Sequence, residues 1–560
     1  VSIWVVAILV GLVILLRVFG LWGSHGGFVA LLRGQSGPAF EIPRDAVIAP
    51  TPGKPVSVRI VIESNDPIHR VSPEYLSVAI DLSQVTGGKW WDPEAGRTEL
   101  GTGSVESPVF DFDRPELDRL VAPLSPMWLR IGGSESDKIY YDLDESDRSS
   151  DQVPRGFESV LTAGQWDALN AFARRNDLRV IVTLNAGPAV RDGHGGPWGT
   201  EQARDLIRYT AERGYPVELW ELGNEVNNFW YVYGPRNRVS ARRYAEDARA
   251  AAALIAEEQP GAGFAGQGAM IWPILGEPLG LLYGMSFRAL RRAGEVQDVV
   301  TWHFYPQQGR RGPIASRRAH PLRLLEPANL DEIRHWAGRF RRSRDRWAPQ
   351  AQLWLGETGN AQFGGEPGLS DVYLGGLWWL DQLGVLAQER HDVVVRQSLT
   401  GQNYGLLDDQ GLAPRPDYWN SLAWKSFMGT EVLLPRVEAS EGTRRGDAHK
   451  VRVYVHRTGT GALTILAINL HHDRAAEIAL PVAGTRSTED ATTADGAHGA
   501  TPRVYAFDTR DIFTRELRLN GRVLALDGTG APPEIAALGR PLEGDTLHLP
   551  PLGYAFVVVQ

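Results

Sequence analysis

The amino-acid sequence predicts an α/β fold: a (β/α)8 TIM barrel with a C-terminal β-sandwich domain and an N-terminal hydrophobic anchor. Three observations carry this expectation. Between residues 71 and 424, strand-like runs alternate with helical stretches of amphipathic period eight times. Beyond residue 424 the pattern changes to short alternating runs separated by Gly, Pro, Asp and Thr, which is sandwich spacing. The first 16 residues form an uncharged apolar run.

The apolar run, VSIWVVAILVGLVILL, is followed by Arg17. Its length lies between a signal-peptide core and a full membrane span. No small-x-small cleavage site follows, which favours an uncleaved anchor, although the charge flanking is the wrong way round for export. Residues 1–40 are therefore read as anchor and linker, giving a cell-envelope location, membrane-anchored or exported. Residues 41–70 supply an N-terminal strand, Val58-Arg59-Ile60-Val61-Ile62-Glu63, that joins the sandwich. Residues 71–424 form the barrel and residues 425–560 the sandwich.

Composition narrows the function. At 560 residues the chain exceeds one ordinary core. A net charge of −9 argues against a general nucleic-acid binder, whose affinity rests on Lys and Arg. With no cysteine, neither disulfides nor thiolate metal sites can form. The 18 Trp and 16 Tyr suit stacking on sugars, and equally suit a large core.

Barrel strand ends are expected at residues 76–81, 128–132, 180–185, 219–225, 264–267, 299–305, 353–357 and 393–400, with helices such as 162–175, 201–213 and 241–258 between them. Sandwich strands are expected at residues 451–455, 463–470, 476–480, 516–519 and 554–559. Two barrel strands share a grammar. Trp220-Glu221-Leu222-Gly223-Asn224-Glu225 and Trp354-Leu355-Gly356-Glu357-Thr358 each bring a carboxylate to a strand end, where such a barrel gathers its chemistry. Either acid alone reads as a solvated loop residue. Two acids facing one gap are the minimum machinery for cutting a glycosidic bond.

Further motifs accompany these two: His69-Arg70-Val71-Ser72-Pro73-Glu74-Tyr75, Leu129-Arg130-Ile131-Gly132-Gly133-Ser134, Thr301-Trp302-His303-Phe304-Tyr305, Asn403-Tyr404 and Pro416-Asp417-Tyr418-Trp419. In this order they resemble glycoside hydrolase family 79, the heparanase family among the retaining (β/α)8 glycosidases. The resemblance implies a β-glucuronidase with Glu225 as acid/base and Glu357 as nucleophile, needing no cofactor and no metal. It implies that Asn224 bonds the sugar 2-OH and that Tyr305 orients the nucleophile. His303, two residues before Tyr305, reads as readily as a core histidine. A uronate carboxylate would be met by backbone N–H groups of Phe363, Gly364 and Gly365 and by Tyr404 beside Asn403. Asp81 and Ser134 would line the same subsite. The chain departs from the family pattern at Phe363, where a glycine is expected, and at Ser83, where an asparagine is expected.

The expected partner is a uronic-acid-containing oligo- or polysaccharide or a glucuronide, handled by an uncut, monomeric chain that also meets the membrane through its N-terminus. Arg310, Arg311, Arg317 and Arg318 form a basic insertion at the cleft mouth, read either as a grip on a polyanionic chain or as solvated surface. Two other functions stay open: a related retaining glycosidase acting on neutral sugars (an arabinofuranosidase or xylosidase), and a non-catalytic envelope carbohydrate-binding protein.

Overall fold

The computed structural model describes residues 53–91, 104–144, 153–277, 284–312, 315–408, 410–481 and 501–559. The apolar run at residues 1–16, and the anchor expected from it, lie outside them. Among the described residues no helix is long and apolar enough to cross a membrane.

Eight strands close into a barrel: Leu76–Asp81, Met127–Gly132, Leu178–Leu184, Val217–Leu222, Gly263–Ile271, Val299–Phe304, Gln352–Thr358 and Val393–Arg396. They are numbered 1 to 8 here. Each pairs in parallel with its neighbour along the chain, and strand 8 returns to strand 1 with Val394 opposite Leu76. The two-residue period of a strand decides what fills the interior. Ala79, Trp128, Ile181, Leu219, Ala265, Val299, Trp354 and Val393, one from each strand, form an apolar floor. The two tryptophan rings meet there with centroids 5.0 Å apart. Two residues further along, the corresponding positions are polar: Asp81, Arg130, Thr183, Glu221 and Thr301 are all buried.

Amphipathic helices cover the barrel. Thr162 opens Ala163–Arg175 through a capping box with Gln165, and Ser240 caps Ala241–Glu258. Helix Tyr373–Gln388 is buried on nearly every side, because it lies between barrel and sandwich. Its Asp381 accepts hydrogen bonds from Arg452 Nε (2.8 Å) and the Tyr454 hydroxyl (2.5 Å) across that seam.

The sandwich consists of two sheets sharing a second core that includes Val58, Ile60, Val453, Val455, Ile465, Ile478, Leu547 and Val557. One sheet has the order Pro435–Ala439, Gly53–Ile62, Arg474–Ala479, Thr546–Leu549. The strand that precedes the barrel is therefore an inner strand of a sheet otherwise made after it. The other sheet is built around Val451–Arg457, Leu463–Asn469, Tyr554–Val559 and Arg503–Asp508. Strands Glu431–Leu433, Pro435–Ala439, Arg503–Asp508 and Thr546–Leu549 are additions to the sequence expectation; each is short.

Candidate active site

Strand 4 ends at Leu222, and the chain continues through Gly223 and Asn224 to Glu225, whose φ of 54° turns it out of the strand path. Strand 7 brings in Glu357 by a different device. Trp302 lies opposite Leu355, but His303 lies opposite Glu357, so Gly356 is an extra residue in the ladder. Trp354 points to the barrel interior, and strict alternation would send Glu357 outward; the bulge re-aims it. Only glycine fits there, since a Cβ on Gly356 would lie 2.0 Å from Thr301 Oγ1.

The two carboxylates converge. One oxygen of Glu225, one oxygen of Glu357 and Nδ1 of His303 all lie within 4.8 Å of one another. His303 Nδ1 is 3.1 Å from Glu225 Oε1 and 3.7 Å from Glu357 Oε2. Tyr305 donates its hydroxyl to Glu357 Oε1 at 2.7 Å. Arg130, from strand 2, donates from Nη1 to Glu357 Oε2 at 3.0 Å and from Nη2 to Asn224 Oδ1 at 2.9 Å. The sequence displays no spaced set of metal ligands, yet folding gathers two acids and a histidine. The positive charge beside them is already supplied by Arg130.

Burial dominates the electrostatics. It pushes the Glu225 carboxyl well above the usual carboxylate range, and the negative charge of Glu357 pushes the same way, while Arg130 opposes both. Burial, then Glu357, raises Asp81 to about 7. His303 is driven well below its ordinary value by burial and by Arg130, so it is a neutral imidazole.

Of the remaining expected residues, Asp81 and Tyr404 lie close enough to Glu357 to feel its charge. Asp81, at the end of strand 1, accepts from Gln397 Nε2 at 2.8 Å. Tyr404 is buried with its ring 6.4 Å from that of Tyr305. Phe363, Gly364 and Gly365 are three consecutive residues with positive φ, at 67°, 79° and 83°. The N–H groups of Gly364 and Gly365 meet no protein acceptor among the described residues. The Phe363 ring lies against Gly312, across the loop that follows strand 6. Asn403 donates its N–H to Gly364 O and accepts from Arg311 at 2.6 Å. Ser134 is exposed just beyond strand 2, and Ser83 is buried in a short helix after strand 1.

The basic insertion matches neither expectation. Arg311 is buried and bonded to the carbonyls of Phe363 and Gly365. Arg310 pairs with Glu366 at 2.6 Å, Arg317 with Glu332 at 2.5 Å, and Arg318 donates to the carbonyls of Gly309 and Gly312. Arg310 and Arg311 thus brace the loop carrying Gly364 and Gly365, while Arg317 and Arg318 hold the insertion itself. Sequence reasoning also left Arg130, Glu221, Asp137 and Gln397 without roles. The available signal was a charge inside an apolar strand, as in Leu129-Arg130-Ile131.

Comparison with known proteins bears on this arrangement. The model of glycosyl hydrolase family 79, N-terminal domain, matches residues 57–384. The chain is 28% identical to heparanase from Mus musculus, over 96% of this chain and 97% of that one. It is 30% identical to inactive heparanase-2 from Homo sapiens over 72% of this chain and 64% of that one. Among solved structures, a family 51 arabinofuranosidase from Xanthomonas axonopodis pv. citri superposes with TM-score 0.61 at 14% identity, covering 90% of this chain and 100% of that one. At that identity the likeness is one of fold.

Proposed function

The chain belongs to glycosyl hydrolase family 79, and from that premise we propose that it is a retaining β-glucuronidase with Glu225 as acid/base and Glu357 as nucleophile. The observation that carries this reading is the approach of the two carboxylates to within 4.8 Å. Double displacement uses about 5–5.5 Å, and the inverting route about 6.5–9.5 Å.

In the first step Glu225 gives its proton to the glycosidic oxygen while Glu357 attacks the anomeric carbon, forming a glycosyl ester and releasing the leaving group as an alcohol. The Tyr305 hydroxyl and Arg130 present the nucleophile as an oriented anion. Ester formation consumes the charge on Glu357, one of the causes that held the proton on Glu225. Glu225 then accepts a proton from water as the water opens the ester, and the β configuration is restored. Asn224, oriented by Arg130, is the donor for the sugar 2-OH.

Selection of a uronic acid is supported by the left-handed turn at 363–365, which lies beside Asn403 and Tyr404 and whose Gly364 and Gly365 N–H groups meet no protein acceptor among the described residues. Successive backbone N–H groups in such a turn cradle an anion. Hydrolysis of an aryl β-glucuronide, monitored by proton NMR for β-glucuronic acid as first product, tests the proposal. Glu357→Gln is expected to abolish turnover by several orders of magnitude while substrate binding survives. Turnover of a neutral pentoside but not of the glucuronide would reject the substrate assignment.

A further inference from the structure

Glu221 has no part in the double displacement, yet it is fully buried inside the barrel one helical-turn equivalent of sequence before Glu225. Its Oε2 accepts three hydrogen bonds: from Arg130 Nη2 at 2.7 Å, Arg130 Nε at 3.1 Å and Thr183 Oγ1 at 2.7 Å. The Nε edge of the guanidinium is thereby fixed. Nη1 is left for Glu357, and Nη2 is shared with Asn224.

We propose that Glu221 is a positioning residue of the reaction: it aims the Arg130 guanidinium at Glu357 and Asn224 and offsets its charge where Glu225 must carry a proton. The inference rests on the two-carboxylate reading above. An Arg as close to the nucleophile as 3.0 Å orients it, but the same positive charge favours ionisation of the neighbouring acid. A carboxylate on the far side of the guanidinium keeps the first effect and cancels much of the second.

The charged and titratable groups around Glu225 are Glu357 and His303 from strands 7 and 6, Tyr305 just past strand 6, Arg130 from strand 2, Asp137 beyond it, and Glu221 from the strand that leads to it. His303 is neutral, so Arg130 is the cation to be offset, and Glu221 Oε2 holds it at both Nε and Nη2. Asp137 is engaged elsewhere, accepting from the N–H groups of Ala186 and Asn224 at 2.8 and 2.9 Å.

The test is the pH dependence of kcat/KM on an aryl β-glucuronide for the full chain, Glu221→Gln and Glu221→Asp. Gln keeps the shape and removes the charge, so the alkaline limb, which reports loss of the Glu225 proton, is expected to fall by about one pH unit or more. Asp keeps the charge with a shorter reach; it is expected to lose kcat while its limb stays where the parent has it. A purely structural role lowers kcat in both variants and moves neither limb, and that result overturns the proposal. Should Glu221→Gln fail to fold, the charge is removed in an Arg130→Met background, and Glu225 is titrated by infrared difference against Glu225→Gln. The double variant must titrate close to the parent, because the two charges removed cancel; a Glu225 that titrates well above the parent's, as loss of an uncompensated cation gives, overturns the proposal. If the parent cleaves only neutral pentosides, the profiles are recorded on those and the uronate assignment alone fails. If it cleaves no glycoside, the functional reading fails and the infrared titration decides on Glu221.

Discussion

Replacing Glu225 by Ala tests its proposed role as proton donor apart from the rest of the machinery. The residue is only 7% exposed, and neither His303 nor Tyr305 can take its place. His303 carries no charge, and the Tyr305 hydroxyl is committed to Glu357. A positioned general acid contributes about 10²–10⁴ in rate, or about 2.7–5.4 kcal/mol at 1.36 kcal/mol per tenfold. That loss is expected in full for an alkyl glucuronide, whose alkoxide is a poor leaving group. A dinitrophenyl glucuronide leaves without proton help, so its glycosylation step is expected to be nearly unaffected. Its slow hydrolysis of the glycosyl-enzyme should be rescued by azide, which fits the vacated space and yields the β-glycosyl azide. The assay is steady-state kinetics on both substrates with product analysis by NMR. Glu357→Ala should affect both leaving groups alike. An equal loss for the two leaving groups in Glu225→Ala would refute the assignment of the acid.

Three other outcomes are expected. Gly356→Ala forces a Cβ to within 2.0 Å of Thr301 Oγ1, so the bulge must unwind; activity should fall more than the melting temperature, and a fully active variant counts against the bulge argument. At the seam, Asp381→Asn leaves Arg452 short of a buried partner and should cost about 3–5 kcal/mol in denaturant unfolding, while Asp381→Leu/Arg452→Leu should cost less. A double variant as unstable as the single one contradicts this. Asp81, whose carboxyl rises to about 7 on folding, contributes stability that is complete below its ordinary value of about 3.8 and is lost as pH climbs through about 7. The parent should therefore melt at higher temperature near pH 5 than near pH 8, with a smaller difference in Asp81→Asn; equal pH dependence in the two excludes Asp81 as the cause.

The barrel was legible because its strands are short runs rich in apolar residues that alternate with amphipathic stretches, and because helices such as Ala241–Glu258 carry plain caps. The sandwich was less so: Thr546–Leu549 and Arg503–Asp508 gain their identity from partners far away in sequence. Glu225 and Glu357 could be picked out by motif, but the bulge that turns Glu357 inward is a property of register with strand 6, which local sequence does not encode. Arg310, Arg311, Arg317 and Arg318 illustrate the opposite problem. Composition counts four charges, whereas folding commits them to carboxylates and carbonyls of their own surroundings.

The placement of Gly53–Ile62 between Pro435–Ala439 and Arg474–Ala479 ties the order of synthesis to the order of assembly. On the ribosome this segment emerges before the barrel and must wait for all eight barrel strands to be made before it finds either neighbour. The smaller lobe is therefore completed only once the barrel has been synthesised, when segments from either side of it are brought together. A fragment cut cleanly after the barrel would inherit a sheet with its inner member missing and two unsatisfied edges in its place.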